Sequence, residues 1–346
     1  MKNFVAILYL LCASLISLWC AVESVAPPPS VPQFEVEEPC KTAELLFVGD
    51  VMAHLPQVTA AKSQSGYDFT PCFRYVKPIF NAADCVVANL ETTLAATPPY
   101  TGYPCFKAPA ELATALADAG VDVAVTANNH SLDAGAEGVR NTLDILNING
   151  IAAVGTTPER VLRTTVKGID FAILAYTYGT NGIAVPHGVT VNKIDTLQMR
   201  RDLEEVADAD CRITFLHWGA EYSRRPSREQ QELAEFLHRA GCQVVIGSHP
   251  HVVQRAECNG QSVTVYSLGN FISNQRMRYS DGGIMAKVRV EKCTNGCQFW
   301  LDIEPVWVRA SDYTVIPYSV ANQIGLSRSD RAVCDLFFDD THKIFR

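Results

Sequence analysis

Five short aliphatic runs in this chain each lead to a side chain that can hold a metal ion or move a proton. "ELLFVGD" ends on Asp50 and "DCVVANLE" on Glu91. "VDVAVTANNH" ends on Asn129 and His130, "RITFLHWG" carries His217, and "CQVVIGSHPH" closes on His249 and His251. Helical stretches such as "PAELATALADAG" and "SREQQELAEFLHRAG" separate them. Strand and helix alternating in this way predict a layered α/β fold whose strands are buried on both faces. Functional residues then belong on the loops at the carboxyl ends of the strands. Each residue alone has an ordinary explanation: Asp50 as a helix cap, Glu91 as a solvated acid, Asn129 as a turn residue, His217 as a packed core histidine. Five endings of the same kind predict instead that they converge on one edge of the sheet.

Convergence would assemble one aspartate, one glutamate, one asparagine and three histidines, with no thiolate. Oxygen and imidazole donors together suit Mn, Fe or Zn better than Ca, which takes oxygen alone. Six ligands exceed what one tetrahedral ion uses. Two divalent ions about 3.5–4 Å apart, sharing a carboxylate, account for the surplus and form a hydrolytic device. If the last strand continued through "SHPH", His249 and His251 would stand on the same side, two residues apart.

The blocks "FVGDVMAH", "ANLETTL", "TANNHSLDAG", "LHWGAEY", "GSHPHVVQ" and "YSLGNF" stand in one order from about residue 44 to 290. Together they resemble the CapA family, the poly-γ-glutamate capsule-synthesis proteins, which is similar to the calcineurin-like metallophosphatases. The resemblance implies a metallophosphatase-like β-sheet core flanked by helices, and the hairpin patterns after residue 255 add antiparallel strands in the C-terminal third. It implies metal ligation by Asp50, by Glu91 in the place of a bridging aspartate, and by Asn129, His217, His249 and His251, with His130 as general acid. One departure stands out, since the metallophosphatases carry Asp-x-His and the second residue after Asp50 here is Met52; His54 is the candidate to reach back as a metal ligand. Asp133 is read either as orienting His130 or as capping the following helix. Glu221, Tyr222 and Gln254 are candidates for substrate contact or for bracing the ligands from behind, Asn270 for substrate contact, and Arg224 for gripping an anion.

The expected activity is binuclear, metal-dependent hydrolysis of a phosphoester, amide or ester bond in the synthesis of a capsule or surface polymer. The expected partners are an anionic surface polymer or its precursor, and a capsule-synthesis membrane complex. The alternative is a non-catalytic, polymer-binding component of a capsule assembly or export complex. A formal charge of -8 speaks against a phosphate-backbone binder, so no nucleic-acid partner is expected.

"MKNFVAILYLLCASLISLW" has a lysine before a short apolar core, the layout of an export segment over residues 1–21. Lipidation at Cys12 or Cys20, cleavage after Ala21 or Ala26, and retention as an anchor all fit it, and each puts the domain in the periplasm or cell envelope. A proline-rich tether over 22–43, a domain over 44–310 and a C-terminal extension over 311–346 packing back on it complete the expected organisation. Of 12 cysteines, the ten beyond Cys20 form an even number in an exported chain, which predicts disulfides. Cys293 and Cys297 flank the turn "TNG" and are expected to lie close together.

Overall fold

Alternation along "ELLFVGD" sorts the first strand onto two cores. The computed structural model describes residues 39–345. In β1 (Lys41–Val51), Leu45 and Phe47 face a second sheet, while Leu46 and Val48 face helices. The first sheet continues through β2 (Cys85–Leu90), β3 (Val123–Val125) and β4 (Ala152–Val154). The chain then builds the second sheet from β5 (Val161–Val166), β6 (Ile169–Thr177), β7 (Cys211–His217), β8 (Val244–Ser248), β9 (Ala256–Cys258) and β10 (Val263–Val265). It returns to the first sheet with β11 (Asn270–Ile272), β12 (Gly282–Cys293), β13 (Gly296–Val308) and β14 (Val315–Pro317).

The spatial order is β14-β13-β12-β1-β2-β3-β4 in the first sheet, with β11 beside the end of β1, and β9-β10-β8-β7-β6-β5 in the second. Phe47, Val87, Phe171, Phe215, Ile246 and Phe299 fill the space between the sheets. Helices α1 (Glu111–Ala119) and α2 (Gly135–Ile148) cover the outer face of the first sheet. Helices α3 (Thr196–Glu205) and α4 (Arg228–Arg239) cover the second. Four layers bury every strand of the centre on both sides, and each large apolar side chain so buried contributes about 1.5–3 kcal/mol. The layered α/β fold is the one the sequence predicts.

The convergence differs from the expectation in one respect. Asp50, Glu91 and Asn129 follow strands of the first sheet, whereas His217, His249 and His251 follow strands of the second. The five endings therefore meet at the common end of two stacked sheets. The reason lies in β7, which pairs in parallel with β6 and β8 and turns Leu216 outward to its own pair of helices. A close approach holds β1 in place at this end: a Cβ on Gly49 would stand 1.9 Å from the Gly269 carbonyl oxygen, which accepts the Asp50 N–H at 3.0 Å.

Cys293 does not meet Cys297. Gly296 is the partner of Cys293 across the hairpin and Lys292 the partner of Cys297, so the two cysteines stand on opposite faces. Cys293 instead bonds Cys40, across 253 positions of sequence, and Cys297 is a free thiol. The strand begins at Lys41, directly after this bridge and three residues before the expected domain start. Cys40→Ser should lower the unfolding free energy by about 2–5 kcal/mol. Urea titration of both proteins with and without dithiothreitol checks this, since the reductant should destabilise the parent alone; a parent indifferent to reductant rules the bridge out.

Past residue 310, β14 adds to the edge of the first sheet, and α5 (Arg328–His342) packs Cys334, Phe337 and Phe338 against Trp307 and Ile316. The export segment, with Cys12 and Cys20, and most of the tether lie outside the described residues. Among the described residues no helix is long and apolar enough to cross a membrane.

Candidate functional site

Asp50, Glu91, Asn129, His130, His217, His249 and His251 are all buried at the shared end of the sheets. Backbone geometry aims the last pair. β8 stops at Ser248, and His249 and His251 have φ of 95° and 57° on either side of Pro250. Positive φ at non-glycine residues is uncommon and costs free energy, so surrounding structure must impose it. The Pro250 carbonyl is held by the N–H of Tyr222, itself at φ 63°. The two rings therefore do not share a face as in a continued strand. His249 groups with Glu91 and His217, and His251 with Asp50 and Glu91; in each set one potential ligand atom per residue lies within 4.8 Å of the others. A third set joins both histidines to the exposed Glu221.

The hydrogen bonds fix the rings but leave two buried atoms unpartnered. His217 Nδ1 lies 2.9 Å from Ser248 Oγ and 3.4 Å from Asn89 Nδ2. Its Nε2 points at Asn129 Oδ1, 2.8 Å away, and at Glu91 Oε1, 3.5 Å away. Asn129 Nδ2 in turn donates to Asn181 Oδ1 at 3.2 Å. Glu91 Oε1 and His249 Nδ1 are buried with no hydrogen-bond partner among the described residues. Asp50 is held by Asn89 Nδ2 at Oδ1, 2.8 Å, and by His251 Nδ1 at Oδ2, 2.9 Å.

Electrostatics agree. Burial first, then the charge on Asp50, pushes the Glu91 carboxyl well above the usual carboxylate range. Burial holds His217 well below the usual imidazole range and pushes His249 down to about 4, so both are neutral and keep a lone pair at pH 7. Two buried acidic side chains, imidazole nitrogens and an amide oxygen, with Glu91 Oε1 and His249 Nδ1 left unpartnered, form a set that a divalent cation fits.

His130 stands beside this cluster. Its Nδ1–H donates to Asp133 Oδ2 at 2.7 Å, and the same oxygen accepts the Phe106 N–H at 2.5 Å. The Phe106 ring meets the imidazole edge-on, with centroids 4.7 Å apart. Asp133 provides no cap to α2, whose N-cap is Ala134 with no side-chain bond.

The remaining sequence candidates divide. His54 Nδ1 lies 3.0 Å from Gln57 Oε1, and His54 joins none of the three ligand sets. Tyr222 is 42% exposed, its ring 6.1 Å from His251. Gln254 is fully buried and committed to Gln230 and the Ser223 carbonyl, so it braces the loop rather than facing the opening. Arg224 donates to the Asp340 carbonyl and lies 4.1 Å over the Tyr279 ring, tied to α5 instead of free for an anion. Asn270 is buried next to Asp50 in strand register.

Sequence reading passed over Asn89 and Tyr178. Asn89 was legible, since it precedes Glu91 by two and shares its face. Tyr178 follows β6, whose run "FAILAYTY" has no ionisable ligand at its end; its ring lies 4.6 Å from His249 and is 48% exposed.

The family model described as bacterial capsule synthesis protein PGA_cap matches residues 44–275. The PGA biosynthesis protein CapA of Bacillus subtilis (strain 168) is 29% identical over 264 residues, 72% of this chain and 68% of that one. The capsule biosynthesis protein CapA of Bacillus anthracis is 29% identical over 251 residues, 67% of this chain and 60% of that one. Among solved structures, a Thermus thermophilus sulfate thiohydrolase, SoxB, superposes with a TM-score of 0.49 at 12% identity, over 87% of this chain and 61% of that one. A 5'-nucleotidase from Candida albicans SC5314 does so with a TM-score of 0.46 at 11% identity, over 87% and 58%.

Proposed function

The chain belongs to the bacterial capsule synthesis protein family PGA_cap, and from that premise we propose that it is a cell-envelope, metal-dependent hydrolase of capsule or surface-polymer synthesis. The observation that carries this reading is the pair of buried ligand sets that share Glu91, one with Asp50 and His251 and one with His217 and His249. Asp50, Glu91 and His251 would hold one divalent cation, and Glu91, Asn129, His217 and His249 a second, with Mn, Fe or Zn as the metals that suit such donors. Bound there, the pair supplies Lewis-acid polarisation of the scissile group and activation of water.

The chain's own residues do the rest. Ser248 and Asn181 fix the orientation of His217 and Asn129. Asp133 holds the His130 ring by Nδ1, so that Nε2 is the atom that passes a proton to the leaving group. Tyr178 and Tyr222 flank the histidine pair and exclude water from it. The substrate is an anionic surface polymer, such as a poly-γ-glutamate-like chain, or its precursor, and the bond broken is a phosphoester, amide or ester.

Purified protein loaded with Mn²⁺ should hydrolyse members of a panel of aryl phosphates and γ-glutamyl peptides. EDTA should remove at least 95% of that activity, and added Mn²⁺ should restore it. Hydrolysis indifferent to chelation removes this reading. A chain that binds the polymer but holds one ion or none, without hydrolysis, is the non-catalytic assembly component instead.

A further inference from the structure

Three neighbouring strands, β2, β1 and β11, put Asn89, Asp50 and Asn270 at paired positions in one row. Paired positions of adjacent strands present their side chains on the same face. Asn89 offers its amide hydrogen to Asp50. Asn270 is turned the other way: Nδ2 donates to Gln275 Oε1 at 2.9 Å and to the Ser280 carbonyl at 2.7 Å. Both amide hydrogens are engaged by acceptors, which settles which end of the group is nitrogen. Its oxygen is left buried without a donor, in a side chain fully shielded from solvent.

An unmet buried acceptor costs about 1–3 kcal/mol. Asn270 pairs in strand register with Asp50, whose two oxygens are already turned to Asn89 and His251. A cation would supply the missing partner. The set of Asp50, Glu91 and His251 offers three ligand atoms, fewer than the roughly four to six that nitrogen- and oxygen-ligated divalent ions take. His54, the candidate for this place by sequence, joins none of the ligand sets.

We propose that the amide oxygen of Asn270 is a further ligand of the divalent cation held by Asp50, Glu91 and His251. This rests on the metal centre proposed above and completes it. Gln275 and Ser280 are positioning residues that hold the amide nitrogen away from the ion. Gln275 also donates from Nε2 to the Tyr222 hydroxyl at 3.3 Å, which ties this clamp to the loop that carries Glu221.

The test uses the full chain and Mn²⁺ alone as probe, with ions per chain from elemental assay and affinities from calorimetry. Wild type should bind two ions. Asn270→Ala should keep one at wild-type affinity and bind the other about 10–100-fold more weakly. Melting of the metal-free variant shows whether it folds. If it does not, anomalous diffraction from Mn²⁺-loaded wild type decides, with Asn270 Oδ1 expected at about 2.0–2.3 Å from one ion. Unchanged affinity for both ions in Asn270→Ala, or an Oδ1 outside the coordination sphere, overturns the assignment and leaves the binuclear reading intact. A wild type that binds no Mn²⁺ overturns both.

Discussion

Glu91→Gln should hold less than one Mn²⁺ per chain and lose hydrolysis by at least about 10³-fold, yet melt at a higher temperature than wild type when both are metal-free. The three effects share one cause. Glu91 belongs to two of the three ligand sets, so it is the group both ions would share. Removing its charge weakens both positions together. Without metal, the same carboxylate is a liability: it is fully buried, one oxygen lacks a partner, and Asp50 stands close by. Its pKa is raised by burial and then by Asp50, from an ordinary value of 4.5.

The sign follows from linkage. The folded state holds this proton more tightly than the unfolded state, so folding stability is lost as pH rises from about 4.5 toward the elevated folded value. Metal-free wild type should therefore lose stability between pH 5 and pH 7 that Glu91→Gln keeps, and in a chain of this size each 1 kcal/mol moves the melting point by about 2–4 °C. Mn²⁺ at 100 times its Kd should stabilise wild type by about 2.7 kcal/mol per site and the variant hardly at all. Melting curves at both pH values, with and without Mn²⁺, measure all of this. A variant that Mn²⁺ stabilises as much as wild type refutes the shared-ligand role.

His130→Ala should lower kcat by about 10²–10⁴-fold with metal content unchanged, because His130 belongs to none of the ligand sets. The loss should depend on the leaving group. A nitrophenolate departs without a proton, so its ester should lose least, and an alkoxide or amine most. Asp133→Asn should fall between, near 10–100-fold, since an asparagine oxygen can still accept the Phe106 N–H and the imidazole proton now held by Asp133 Oδ2. Kinetics over a leaving-group series with metal content assayed alongside separates the roles. Equal loss across the series, or loss of metal in His130→Ala, would assign His130 to holding the site together.

Much of the site was legible in the sequence because strand ends announce themselves. Asp50, Glu91, Asn129, His217, His249 and His251 each follow an aliphatic run, and the structure gathers all of them. Where the structure departs from the sequence reading, the causes are physical. Arg224 and Gln254 have the right chemistry beside the right motif, but Arg224 is claimed by α5, more than a hundred residues later, and Gln254 by Gln230. His54 is drawn off by Gln57, at a helix start that the pattern Leu55-Pro56 only hints at. Cys293 and Cys297 are neighbours in sequence, and strand pleating separates them.

Apolar alternation and polar strand ends by themselves determined a layered α/β fold, which side chains gather at the strand ends and what donor chemistry they offer, because these depend on periods of two and on residue type. Tertiary structure alone decided that the candidate ligands come from two stacked sheets and that Asn270 pairs in register with Asp50 with its oxygen unmet. Those outcomes depend on strand pairing and on hydrogen-bond partners some 200 residues away, and no local pattern carries that information.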